Sequence, residues 1–170
     1  VLDNASLYCW GRNHYGQLGD GTTTNSNTPV AVSLPSGRTT VSVSAGYGHT
    51  CAITEKSSTE EIGEPFCWGG NGNGQIGDGT NHDRSTPVQV NLPGARIASS
   101  LSAGGQHTCA VLDDASLKCW GSNQNGQLGD GTTTSSNEMI AVSLPSGRTA
   151  DSVSSGESHT CAVLDDGSAY

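Results

Sequence analysis

Three copies of one fourteen-residue segment dominate this sequence of 170 residues. The copy from Cys119 to Thr132 reads C-W-G-S-N-Q-N-G-Q-L-G-D-G-T, and its counterparts begin at Cys9 and Cys67. A second signature ending in H-T-C follows each copy, and its Cys lies 42 residues after the first Cys every time. Self-similarity at one fixed spacing indicates a repeat architecture, in which each unit buries its faces against its neighbours.

The repeats form one domain, residues 1–170. We place their boundaries at approximately 1–52, 53–110 and 111–162, with 163–170 starting a fourth unit. The last eight residues, V-L-D-D-G-S-A-Y, match the first eight, V-L-D-N-A-S-L-Y. We therefore expect a chain that begins and ends inside repeat units.

Each repeat contains four short segments typical of β-strands. In the first repeat they lie around Cys9, near Pro29, over Val41 to Gly46, and from His49 onward. Only 32% of the residues are hydrophobic, and the 24 glycines suit tight turns between strands. Four short antiparallel strands per unit are the pattern of a β-propeller blade. The sequence thus predicts an all-β fold, in which three four-stranded repeats of 52–58 residues form an arc of a larger or oligomer-completed propeller.

Trp and His residues recur at fixed repeat positions, so we interpret them as structural. They are Trp10, Trp68 and Trp120 in the C-W-G segments, and His49, His107 and His159 in the H-T-C segments. We expect the histidines to bond to turn backbone. Zinc binding is the competing interpretation of Cys with His, but neither segment has the C-x-x-C spacing typical of zinc ligands.

The six Cys residues predict a disulfide in every hairpin. Two pairs flank the turn between two strands, and each remaining Cys is half of such a pair, with its partner outside the chain or in another copy. These are Cys51–Cys67 and Cys109–Cys119, together with Cys9 and Cys161. Facing positions on adjacent strands can meet disulfide geometry. Disulfides worth about 2–4 kcal/mol each would support a core poor in large side chains, and they indicate an oxidising compartment.

Charge and motif content disfavour several functions. A formal net charge of −9 disfavours a nucleic-acid partner, which is bound through Lys and Arg. No apolar run approaches the roughly 18 residues of a membrane span. The glycine-rich segment lacks the Lys and the following helix of a phosphate loop. Because every candidate side chain recurs with the repeat, nothing marks a catalytic site, and we expect neither enzymatic activity nor a cofactor.

Calcium and glycans are the remaining ligand candidates. Asp20, Asp78 and Asp130 recur in G-D-G-T, but calcium takes six to eight oxygen ligands. An Asx turn is the competing explanation for one Asp per loop. Asn4 begins the only N-x-S/T acceptor, at a predicted hairpin tip where a glycan would fit in a secreted protein.

Three motifs follow one another along the sequence: C-W-G-x-N-x-x-G-Q-L-G-D-G-T, then T-P-V, then S-A-G-x-x-H-T-C-A. Their order resembles the regulator of chromosome condensation repeat over essentially the whole chain. The resemblance implies a propeller, commonly seven-bladed, with four-stranded blades. The family includes a nuclear guanine-nucleotide exchange factor that binds chromatin. It also includes secreted bacterial proteins, among them a propeller-type β-lactamase inhibitor. The acidic composition and paired Cys are similar to the secreted or cell-surface members.

We therefore predict a non-enzymatic structural or protein-interaction module, located outside the cell or on its surface. Its partners would be further repeats of the same polypeptide or other copies, since repeats without caps leave faces exposed. Contacts of this kind that do not close would build a filament. The alternatives are a secreted propeller that binds one specific protein, as an inhibitor does, and a glycan or calcium binder. A unique exposed aromatic cluster would favour specific protein binding, and Tyr15, Tyr47 and the 54–66 loop could supply one.

Overall fold

A computed structural model describes residues 6–56, 61–94 and 96–170, without the side chains of residues 61 and 62. Asn4, the predicted glycosylation site, lies outside these residues. Within them the chain contains twelve strands and no helix, so the all-β prediction is confirmed. The strands are β1 (Tyr8–Gly11), β2 (Ser26–Ala31), β3 (Arg38–Ala45), β4 (His49–Lys56), β5 (Glu61–Gly69), β6 (Arg84–Gln89), β7 (Ala98–Ala103), β8 (His107–Leu112), β9 (Leu117–Gly121), β10 (Ser136–Ala141), β11 (Ala150–Ser155) and β12 (Thr160–Leu164).

The strands form two complete sheets between two half-sheets. In order they are sheet 1 (β1–β2), sheet 2 (β3–β4–β5–β6), sheet 3 (β7–β8–β9–β10) and sheet 4 (β11–β12), and all neighbouring strands are antiparallel. Each repeat supplies four strands, as predicted, but each complete sheet takes two strands from one repeat and two from the next. The reason is the short turn between β8 and β9, which pairs these strands across the repeat boundary.

The central hairpins place the predicted Cys pairs opposite each other. Cys51 faces Cys67 in sheet 2 and Cys109 faces Cys119 in sheet 3, each pair with a Cα–Cα distance of 4.1 Å. Both pairs form disulfides whose residues are fully buried. Each disulfide therefore fastens the middle of one sheet.

Apolar side chains fill the spaces between successive sheets. Leu7 and Trp68 pack between sheets 1 and 2, Trp120 and Ile76 between sheets 2 and 3, and Leu128 with its neighbours between sheets 3 and 4. The sheets thus stack in chain order, and each core needs residues from two sheets. None of the residues that the structure describes forms a helix long and apolar enough to cross a membrane.

Candidate functional site

The glycine-rich loop after β1 has its shape fixed by one buried Asn. The side-chain Oδ1 of Asn13 accepts a hydrogen bond from the Leu18 N–H at 2.9 Å. Its Nδ2 donates to the carbonyls of Thr22 and Thr24, both at 3.1 Å. The same bonds recur around Asn71 and Asn123 in the other two loops. Each loop is therefore a rigid platform that presents its backbone to the next sheet.

The platform of the first loop holds the indole of sheet 2. The carbonyl of Gln17 accepts hydrogen bonds from Trp68 Nε1 and from Thr50 Oγ1, both at 2.9 Å. Trp68 is fully buried. Gly19 has a φ of +71°, and a Cβ there would lie 2.6 Å from the indole nitrogen, so no larger residue fits. We call this arrangement of loop carbonyl, Thr hydroxyl and indole an indole slot.

A second indole slot joins sheets 2 and 3, and it includes one of the predicted His residues. Gln75 O accepts from Trp120 Nε1 at 2.9 Å and from Thr108 Oγ1 at 2.7 Å. His49 Nε2 lies 2.8 Å from the same Thr108 oxygen. Since the hydroxyl gives its only hydrogen to Gln75, it must accept from His49, which fixes the proton of His49 on Nε2.

This partner differs from the turn backbone that we predicted for the histidines. His49 begins β4, and its Nε2 atom bonds to the Thr108 hydroxyl of sheet 3 instead of to turn backbone. His107 repeats the pattern with Thr160 at 2.9 Å. His159, the third member, is exposed and has no such partner among the described residues.

Burial keeps the first two of these histidines neutral. It lowers the pKa of His49 to about 3 and that of His107 to about 4, with smaller contributions from the next His in the series. The Nδ1 atom of each ring is buried and has no hydrogen-bond partner among the described residues. Protonation would place a charge on this unpaired nitrogen, so the interface tolerates only the neutral ring.

The edge of sheet 4 contains a third slot that holds no indole from the described residues. Gln127 O accepts from Thr160 Oγ1 at 2.8 Å, as in the other two slots. Beside it lies a groove of about 320 Å³ that is lined by Leu128, Gly129 and Val142, among others. A Cβ on Gly129 would meet only Val142, whereas the equivalent glycines lie against Trp rings. We call this space the open groove.

The opposite edge, on sheet 1, exposes the matching parts. Trp10 has the repeat position of the two buried indoles, yet 63% of its surface is exposed. Cys9 precedes it on β1, half-buried and without a disulfide, and Cys161 is exposed on β12. The two edges of the described structure thus carry complementary halves of one interface.

The two free thiols differ in their predicted reactivity. Burial raises the pKa of Cys9 to about 11, so very little of it is thiolate near pH 8. Cys161 is exposed. We expect iodoacetamide to modify Cys161 at least about tenfold faster than Cys9 at low protein concentration, as followed by peptide mass spectrometry. Equal rates at the two thiols would contradict this geometry.

The recurring Asp residues act within their own loops. Asp20 Oδ1 accepts from the Thr22 N–H at 2.9 Å and from its hydroxyl at 2.8 Å, and Asp130 repeats both bonds with Thr132. Asp78 also pairs with Arg84 at 2.6 Å. The first and third loops each offer a single carboxylate and the second offers two, Asp78 and Asp83. In the described parts of the chain no three His, Cys, Asp or Glu residues form a group that could hold a metal ion.

Two of the three sequence departures meet in space. Tyr15 and Tyr47 both contact Arg12, whose guanidinium carbon is 5.6 and 5.5 Å from the two ring centroids. The 54–66 loop instead extends β4 and β5. It begins at the end of β4 away from Tyr47, roughly 20 Å along the strand at about 3.3 Å per residue. Residues 57–60 are outside the described part.

Sequence reasoning did not single out Asn13, Gln17, Thr50 or Arg12. The first three recur at fixed repeat positions, as the Trp residues do, and that recurrence could have identified them. Arg12 has no such signal, because it is absent from the other repeats. Only its contact with the two tyrosines shows its importance.

Stacked four-stranded antiparallel sheets, joined by repeating indole slots, define a β-propeller repeat protein. The sequence matches the regulator of chromosome condensation (RCC1) repeat over residues 4–53, 63–111 and 117–163, and a second form of that repeat over 98–127. The chain belongs to this family. The predicted family and fold are thereby confirmed, and membership supports the predicted protein-interaction module.

Known relatives share the repeat across the chain. The ultraviolet-B receptor UVR8 of Arabidopsis thaliana is 35% identical over 172 residues, which cover 100% of this chain and 38% of the receptor. The human E3 ubiquitin-protein ligase HERC2 is 29% identical over 95% of this chain and 3% of the ligase. The chain therefore spans less than half the length of these relatives.

Solved structures agree with the fold. Human WBSCR16 superposes with a TM-score of 0.80 at 21% identity, over 97% of this chain and 41% of that one. Prp20p of Saccharomyces cerevisiae, described with its binding to Gsp1p and histones, gives 0.75 at 19% identity, over 95% and 40%. At these identities the likeness establishes the fold alone.

Proposed function

We propose that this chain is a non-enzymatic protein-interaction and structural module, outside the cell or at its surface. Its open groove binds the C-W strand of another RCC1 repeat and so extends the propeller or an assembly built from it. The observation that carries the proposal is the third slot. Its loop carbonyl and Thr repeat the two slots that already hold Trp68 and Trp120, and its His repeats the slot of Trp120.

Strand register defines how the incoming segment sits. Ala162 exchanges backbone hydrogen bonds with Tyr170 at 2.8 and 2.9 Å, just as Ala110 is paired with Lys118 in sheet 3. Tyr170 already fills the position before the Cys, so a Cys-Trp segment that follows it in this register brings its Cys opposite Cys161 and its Trp to the Gln127 carbonyl. The β1 strand of a second copy supplies this segment through the half-buried Cys9 and the exposed Trp10, once its residues before Cys9 leave the position that Tyr170 fills.

The contact is asymmetric, since one edge supplies the indole and the other supplies the slot. Burying a large aromatic side chain and forming one indole hydrogen bond favours association, and a disulfide between Cys161 and Cys9 would make it permanent. Copies joined in this way make a heterologous contact, which produces a ring if it closes and a filament if it does not.

An oxidising location is supported by the two disulfides at the sheet centres. Structural disulfides persist in secreted and surface proteins and are rare in the cytosol of most organisms. Disulfides of this kind keep the sheets folded outside the cell, where no chaperones refold them. This part of the proposal rests on the Cys chemistry alone.

The test is to concentrate the chain under mildly oxidising conditions, then measure its size by light scattering and its disulfides by non-reducing peptide mapping. We expect concentration-dependent oligomers linked through Cys9–Cys161, and Trp10→Ala should weaken them. The conservative control is His14→Gln. His14 is exposed, and the third repeat has Gln124 at the equivalent position. A monomer with two free thiols, or symmetric Cys9–Cys9 links, would overturn the proposal.

A further inference from the structure

Three side chains that depart from the repeat converge at one point on the loop face of the arc. Arg12, Tyr15 and Tyr47 come from two different loops, yet they form one contact cluster. The equivalent residues in the second and third repeats are Gly70 and Ser122, Asn73 and Asn125, and Gly105 and Glu157. Because those repeats build the same loops and turns without an Arg or a Tyr, the fold does not require this cluster.

The cluster is ordered and exposed at the same time. The Arg12 guanidinium donates to the Tyr47 hydroxyl at 3.2 Å and lies over both rings. Tyr15 and Tyr47 are 41% and 64% exposed. The ring of Tyr15 lies against the backbone of Gly48 and Gly70, since a Cβ on either glycine would be 3.4 Å from a ring atom. Rigid, exposed tyrosines beside an Arg are the composition of protein-binding hot spots.

The rings form one wall of a cleft of about 240 Å³. The lining also contains Asn73 and Gln106, whose side-chain amides are joined at 3.2 Å, and Asp83. The Asp83 carboxylate accepts the Asn71 N–H at 2.7 Å, which directs it to the loop backbone. The cleft therefore offers apolar ring surface and amide groups, and Arg12 lies beside it against the two rings.

Charge decides what the cleft binds. Arg38, Arg84, Arg96 and Arg148 are each paired with a carboxylate of this chain. Among the described residues Arg12 has no carboxylate partner, and its one hydrogen bond goes to a hydroxyl. A guanidinium forms its strongest hydrogen bonds with carboxylates, often through two parallel N–H donors. Although the chain has a net charge of −9, Arg12 is therefore a cation that remains available to pair with an external carboxylate.

We infer that the Arg12–Tyr15–Tyr47 cluster, together with the cleft beside it, binds an acidic, extended segment of a partner protein. The segment places a carboxylate on Arg12, and its apolar atoms lie against the tyrosine rings. A nucleic acid is not favoured, because a single unpaired Arg cannot neutralise a polyanion on an acidic protein. The inference deepens the proposed interaction function by assigning a partner chemistry to a surface separate from the open groove.

The repeats themselves supply the test variants. Arg12→Ser, Tyr15→Asn and Tyr47→Gly each introduce a residue that this chain uses at an equivalent position, so all three should fold. The probes are the capped octapeptides with four Glu-Pro, Gln-Pro or Lys-Pro pairs, in which proline keeps the backbone extended. Binding is followed by NMR titration of the isotope-labelled chain with each peptide up to millimolar concentration.

We expect the Glu-Pro peptide to shift the resonances of the cleft and to bind at least about tenfold more tightly than the Gln-Pro peptide. Arg12→Ser should remove that difference, while Tyr47→Gly should weaken both peptides and His14→Gln neither. Equal affinity for the Glu and Gln peptides, or shifts elsewhere on the chain, would overturn the inference. The assembly test depends on Cys9, Trp10 and Cys161, so either proposal can fail without the other.

Discussion

Replacing Trp120 with Ala will lower the free energy of unfolding by about 3–5 kcal/mol, whereas Trp10→Ala will change it by less than about 0.5 kcal/mol in the monomer. Trp120 is fully buried between sheets 2 and 3, and its indole nitrogen donates to Gln75 O. Its removal leaves a cavity and takes away one of the two hydrogen bonds to the Gln75 carbonyl. Trp10 has the same repeat position but is 63% exposed, so its loss removes little buried surface.

The measurement is urea unfolding followed by far-ultraviolet circular dichroism, at a protein concentration below that of any assembly. Each variant retains two of the three Trp residues, so the pair is matched in composition and differs only in position. Similar losses for Trp10→Ala and Trp120→Ala would mean that the first edge is not open in solution. That result would also remove the main support for a groove that receives a second copy.

The recurring side chains show how much the sequence predicts about this fold. Fixed spacing identified the strands, the repeat family and which Cys residues face each other. It could do so because a residue that recurs at the same position in every repeat has a role in the structure of the repeat. The predicted Cys pairs implied hairpins that cross the repeat boundaries, but spacing did not show that each complete sheet takes two strands from each of two repeats. That depends on which hairpin turn is short enough to pair its strands, and β8 and β9 are joined directly across the boundary.

Contacts between repeats are harder to predict from the sequence. The partner of His49 is Thr108, which lies 59 residues away, and no local pattern connects them. Arg12 is a further example, because its two aromatic neighbours come from separate loops. Departures from the repeat indicated Tyr15 and Tyr47, but only the packing of one sheet against the next brings them to the same place.

Acid will destabilise this fold over a pH range that is determined by its two buried histidines. We expect the free energy of unfolding to fall by about 2–3 kcal/mol per pH unit between roughly pH 6 and 4.5. His49 and His107 have pKa values of about 3 and about 4 in the folded chain, against about 6.5 when unfolded. The unfolded chain therefore binds up to two more protons in this range, so stability decreases as the pH falls.

Carboxylates change the free energy of unfolding only at a lower pH, so their effect can be measured separately from that of the histidines. Hydrogen bonds from Thr132 and Ser116 hold the pKa values of Asp130 and Asp114 below their usual range. Their contribution to stability is therefore present above the pKa of an unfolded Asp, near 4, and is lost only below it. Measurements made above about pH 4.5 thus report mainly on the histidines.

The variant His107→Gln identifies the source of this pH dependence. It removes one titrating ring but keeps an amide that can donate to Thr160 from the position of Nε2, and we expect the slope to decrease by about 1.4 kcal/mol per pH unit. Urea midpoints collected at half-unit pH intervals provide the comparison with the unsubstituted chain. An unchanged slope in the variant would show that the ring is protonated in the folded protein, which the unpartnered Nδ1 and its burial do not allow. Because each His joins one sheet to the next, a decreased slope would also show that acid acts at the sheet interfaces, where the repeats hold together.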